Sequence, residues 1–147
     1  MAWFYLFVCL LAGALMPLQA GVNAQLARWV GHPAVASLIS FAVGTLVLVA
    51  YSAALRPQLP ALSALAEAPW WVWVGGLLGG VFVTAAATLA PRLGAATFIS
   101  VTIAGQVLVS ILLDHFGVVG FPERPLTPLR LLGALLLVAG VLLVRKF

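Results

Sequence analysis

Five long apolar runs, separated by short gaps, dominate the chain: Trp3 to Leu26, Pro33 to Leu55, Trp70 to Leu89, Ala95 to Phe116 and Leu126 to Val144. Each is close to the roughly 20 residues a helix needs to cross about 30 Å of hydrocarbon at about 1.5 Å per residue. A strand of a membrane barrel alternates apolar and polar positions over about ten residues, whereas these runs are apolar on all faces. The pattern therefore predicts an all-α fold, an integral bundle of five transmembrane helices in a single transmembrane domain, with no room for a soluble one. The gaps carry helix-stop signals: Gly31-His32-Pro33, the Pro57 to Pro60 stretch with Pro69, Pro91 to Gly94, and Gly117 to Pro128 with its three prolines. His32, just before Pro33, is placed to cap the second span.

Composition strengthens this picture. A chain that is 65% hydrophobic and only 7% charged, with a mean hydropathy of +1.23, has too little polar surface to cover a soluble globule. The first run resembles a secretory signal, with Leu18-Gln19-Ala20 as a cleavage-like site, but it lacks a basic leader and is too long; it reads as an uncleaved span. Cys9 is the single cysteine, so it forms no internal disulfide, and it reads as an apolar position. The net charge of +4 comes from scattered residues with no basic patch, which speaks against a nucleic-acid partner.

Charge matters chiefly for orientation. With five spans, Arg56, Arg124 and Arg130 fall on one side of the membrane, and Arg28, Arg92, Arg145 and Lys146 on the other. Lys and Arg in the loops set topology, and three against four is almost no instruction. Two readings stand: one orientation set by the small excess, or insertion both ways. Two oppositely inserted copies packed together would reproduce the inverted repeat that many secondary transporters carry in one chain, with a midplane site between the halves.

The polar positions inside the runs are the candidate chemistry. Pro17 has no N–H for the carbonyl of Gly13, so the first span should kink there and act as a hinge. Gln19 and Asn23 lie four apart on one helix face beside it, and lipid cannot satisfy their amides. On the fourth span Gln106, Ser110 and Asp114 form a second stripe at i, i+4 and i+8; Thr84 and Thr88 make a shorter one on the third span, and Ser37 and Ser40 another on the second. Hydroxyls weigh less than amides here, because they often bond a carbonyl one turn earlier. Convergence makes Gln19, Asn23, Thr84, Gln106 and Ser110 the candidate substrate-binding set; the alternative is that the amides only bond neighbouring helices.

Asp114 is the one acidic residue within a span, which makes it the candidate for proton coupling, although its place near the span's end weakens that reading and favours an interfacial residue bonding the loop. Gly75, Gly76, Gly79 and Gly80, with Gly133 and Gly140, are the candidate helix-packing glycines. No phosphate-cradling loop, H-E-x-x-H or hydrolytic triad is present, and neither histidine has metal-ligand spacing, so the expectation is a non-enzyme without metal or cofactor.

Several segments together resemble the short, single-repeat YdcZ-type branch of the drug/metabolite transporter superfamily: PLQAGVNAQL (Pro17 to Leu26), the run from Pro33 to Thr45, WWVWVGGLLGG (Trp70 to Gly80), the run from Ala90 to Thr97, AGQVLVSILLDHFG (Ala104 to Gly117) and RLLGALLLVAGVLL (Arg130 to Leu143). The resemblance implies a five-helix repeat unit in the bacterial inner membrane that transports a small molecule by alternating access. Small multidrug exporters of the same superfamily use a first-span glutamate, where this chain has Gln19 and Asn23. Amides do not titrate but both donate and accept hydrogen bonds, which suits a small polar or zwitterionic solute. The expected partners are that solute, membrane lipid, and a second copy in an antiparallel homodimer or a paralogue in a heterodimer. A membrane assembly subunit, and a channel or lipid-translocating protein, are the alternative functions.

Overall fold

A computed structural model describes residues 2–147, and among them the regular structure is helical, with no strand. The helices are α1 (Ala2–Val30), α2 (Pro33–Leu55), α3 (Leu62–Glu67), α4 (Val74–Leu93), α5 (Ala95–Phe116) and α6 (Pro128–Lys146), and a 3₁₀ turn over Trp70–Trp73 leads into α4. Five of these are long and apolar enough to cross a membrane. The short α3 fills part of the gap between the second and third apolar runs.

Local chemistry explains the helix ends. His32 caps α2 as its position suggested: its Nδ1 accepts from the Ala34 N–H at 3.2 Å, and Pro33, which has no N–H to satisfy, takes the first turn. Thr127 does the same for α6, its Oγ1 accepting from the Arg130 N–H at 3.3 Å ahead of Pro128, so this helix starts two residues later than the apolar run. Gly117 closes α5 in the left-handed region (φ 58°), and a Cβ there would lie 3.1 Å from Glu123 Cβ, so conformation and space both require glycine. α1 and α4 run on to Val30 and Leu93, past the ends of their apolar runs, and α4 carries Pro91 inside its last turn. Arg28 and Arg92 lie in these last turns, where a cation meets the negative end of the helix dipole.

The chain divides into two compact units. One holds the first part of α1 through Pro17 together with α5 and α6; the other holds Leu18–Pro91. Both crossings between units fall at prolines inside helices, Pro17 in α1 and Pro91 in α4.

In the first unit α5 packs along α6, burying Phe98, Ala104 and Ala134. A groove of about 270 Å³ remains on that pair, lined by Ser100, Ile103, Leu137, Gly140 and Val144. The buried residues of the second unit are almost all small: Ala20, Ala24, Ala36, Ala86, Ala87 and Ala90, with Val83, Asn23 and Ser37. Small side chains let membrane helices approach closely, which gains dispersion contact where no hydrophobic force acts between helices. Gly79 shows such an approach, since a Cβ on it would meet Phe41 Cζ of α2 at 3.4 Å. For Gly75, Gly76, Gly80, Gly133 and Gly140 an added Cβ would meet only open space. Even in the most enclosed span only 17% of residues are buried, so most side chains face outward from the described chain.

Candidate functional site

The candidate polar residues divide between the units. Gln19, Asn23 and Thr84 belong to the unit of Leu18–Pro91, and Gln106, Ser110 and Asp114 to the unit containing α5 and α6. Their surroundings differ more than their spacing suggested.

Asn23 is 2% exposed, and its Nδ2 is the one buried side-chain nitrogen or oxygen among the described residues with no hydrogen-bond partner. A buried amide left without any partner costs roughly 1–3 kcal/mol, and Asn23 lies in a core made mostly of alanine. Ser37, the other buried polar side chain, is satisfied: its Oγ donates to the Pro33 carbonyl at 3.0 Å. Gln19, four residues before Asn23, is exposed. Four residues correspond to about 40° of rotation around a helix of 3.6 residues per turn, enough to carry one amide inward and leave the other outside.

On α4, Thr84 is half-buried and borders a groove of about 590 Å³ with Leu77, Gly80, Val81 and Thr88. Thr88 Oγ1 donates back to the Thr84 carbonyl at 2.7 Å, so of the two hydroxyls only that of Thr84 is free of a protein bond among the described residues. On α5, Gln106 and Ser110 are both exposed and make no side-chain bond there.

Asp114 has a different role in the fold. Its carboxylate pairs with Arg130 at 3.4 Å, both side chains about one-third exposed, and its carbonyl accepts from the Arg124 N–H at 2.6 Å. Arg130 also donates to the Arg124 carbonyl, and His115 Nδ1 accepts from the Leu126 N–H at 3.2 Å. These bonds tie the end of α5 to the start of α6 through the intervening loop. At this exposure the ion pair contributes about 0–1 kcal/mol. The bond to the loop is the interfacial role the sequence offered for Asp114; the Arg130 pair was not read, although opposite charges at the facing ends of consecutive spans were its signal.

The candidate residues thus offer amides and hydroxyls, with Asp114 at a span end, and no group of three or more metal-ligating residues occurs among the described residues. Such a set can recognise a solute by hydrogen bonds.

Residues 4–143 match the model of a family described as "Putative inner membrane exporter, YdcZ", within the drug/metabolite transporters. A stretch of 77 residues is 42% identical to the "Inner membrane protein YdcZ" of Escherichia coli (strain K12). That alignment spans 52% of this chain and 51% of the relative, about half the length of each. No solved structure matches. With a family match over nearly its whole length and five helices able to span a bilayer, the chain belongs to the YdcZ family and is a multi-pass protein of the inner membrane.

Proposed function

We propose that this protein is a secondary transporter that moves a small polar or zwitterionic solute by alternating access, and that it works as an antiparallel dimer. The observation that carries this reading is the buried, unpartnered amide of Asn23. A buried donor without a partner in the protein is what an occluded binding site needs, because the solute then supplies the missing partner. The family, described as one of exporters, supplies the transport class.

The exposed amides support the dimer. Gln19 and Gln106 sit on spans with their side chains outward, and an amide left in hydrocarbon costs several kcal/mol. A second copy, or a water-filled path between two copies, would satisfy them, so the site is incomplete in one chain. The near balance of three basic residues against four at the span ends permits the second copy to insert upside down. The same exposed amides would also serve as docking groups in a membrane assembly factor, and solute flux separates the two readings.

Orientation provides a direct test of the dimer. A reporter at the C-terminus is expected on both sides of the membrane for the wild-type chain, and on one side after two lysines are added to the connection between α1 and α2. One-sided labelling of the wild type would exclude a symmetric antiparallel homodimer and leave an oppositely inserted paralogue as the partner.

A further inference from the structure

We propose that one face of α2 binds an anionic phospholipid, with an acyl chain lying in a groove and the phosphate on Arg56. The groove is about 540 Å³ and runs along Thr45, Leu48, Val49, Ser52, Ala53 and Arg56. These positions recur at three- and four-residue steps and so share one stripe of the helix. From Thr45 to Arg56 the stripe climbs eleven residues, about 16 Å at the helical rise, which is close to half of the roughly 30 Å hydrocarbon core. The groove therefore has the length of one leaflet, is almost wholly apolar along its depth, and carries its charge at the membrane-surface end.

Its shape follows from the sequence. The short side chains of Ser52 and Ala53 leave the groove open toward its Arg56 end, and the Thr45 hydroxyl is taken up within the helix by donating to the Phe41 carbonyl at 2.8 Å. Beyond Leu55 the chain leaves the helix because Arg56 adopts the left-handed conformation (φ 48°, ψ 47°), its N–H still bonded to the Ser52 carbonyl. That turn brings Pro57 and Leu59 alongside the groove as its far wall.

Charge decides the occupant. Arg56 is exposed, and no carboxylate among the described residues lies within ion-pairing distance of it; the acidic residues of the chain are Glu67, Asp114 and Glu123, and Asp114 is engaged by Arg130. An unpaired guanidinium at headgroup depth meets lipid phosphate as its most abundant counter-ion, and its planar fork matches two phosphate oxygens. A lipid without net negative charge brings an ammonium that offsets this attraction, so the site should prefer an anionic headgroup. This inference does not depend on what the protein transports.

The test uses the purified full chain in detergent, titrated with phosphatidylglycerol or phosphatidylcholine of the same acyl composition, with melting temperature and native mass spectrometry as readouts. Phosphatidylglycerol is expected to bind at least about fivefold more tightly and to raise the melting temperature saturably, as a ligand of the native state does. Arg56→Gln should erase the preference while leaving the melting temperature without lipid unchanged, and Ala53→Phe, which fills the groove, should remove the tight-binding lipid altogether. Both positions face outward, so neither variant disturbs the core. Equal affinity for the two lipids, or a preference that survives Arg56→Gln, would overturn the proposal. A change of oligomeric state on Ala53→Phe would also overturn it, since a second copy would then be the occupant.

Discussion

Asn23→Leu is expected to abolish transport while leaving the protein at least as stable as the wild type. Leucine is close to asparagine in size and shape, so the alanine-rich core of Leu18–Pro91 should accept it with little rearrangement. The wild-type amide has no partner for Nδ2, so its loss removes a penalty of roughly 1–3 kcal/mol and breaks no bond within the chain. The melting temperature should stay level or rise by several degrees. Transport should fall at least tenfold, because one lost hydrogen bond to the solute worth about 1.4 kcal/mol is already a factor of ten. Replacing a satisfied structural amide would do the opposite. A clear drop in melting temperature with normal flux would show that Asn23 bonds a buried water or a partner helix and takes no part in recognition.

Pro17→Ala is expected to slow transport about tenfold or more in a protein that remains folded and melts at a slightly higher temperature. α1 stays helical through Pro17, yet the Gly13 carbonyl receives no N–H from it, so the helix is weakest there. The same residue ends the part of α1 that belongs with α5 and α6, and the next begins the part grouped with α2 to α4. In the proposed alternating-access cycle, a weak point at that position would let α1 bend. Alanine restores the bond and stiffens the helix. Transport at the wild-type rate would remove Pro17 from the mechanism, because proline is also tolerated in membrane helices where neighbours satisfy the freed carbonyl.

The spans were legible in the sequence because hydrocarbon imposes a length and an unbroken apolar character that soluble helices do not share. Their ends were less so. The apolar run on α6 begins at Leu126, but the helix begins at Pro128, since Thr127 provides the cap; hydropathy does not register that hydrogen bond, whereas the Thr-Pro pair does. Pro91 reads as a stop, yet α4 carries it and ends at Leu93, because a proline one turn from a helix end costs only one bond. α3 lay hidden in a proline-rich gap, as six residues carry no periodic signal. In the candidate site the residue types were legible and their burial was not. Gln19 and Asn23 share a face by spacing, but which of two neighbouring amides turns inward depends on how α1 is rotated within its unit, which spacing alone does not fix. For Asp114 the sequence left two roles open, and its engagement by Arg130 and the loop depends on how the loop between α5 and α6 folds back.

Efflux from proteoliposomes tests transport through a recognition site most directly. Vesicles containing the purified protein would be loaded with the small-molecule fraction of a bacterial extract at a series of dilutions, and released solutes identified by mass spectrometry. One or a few neutral polar or zwitterionic solutes should leave faster than from protein-free vesicles, at rates that level off with concentration and collapse in Asn23→Leu. Release no faster than from empty vesicles, or rates that rise linearly with concentration and are unaffected by Asn23→Leu, would contradict the account.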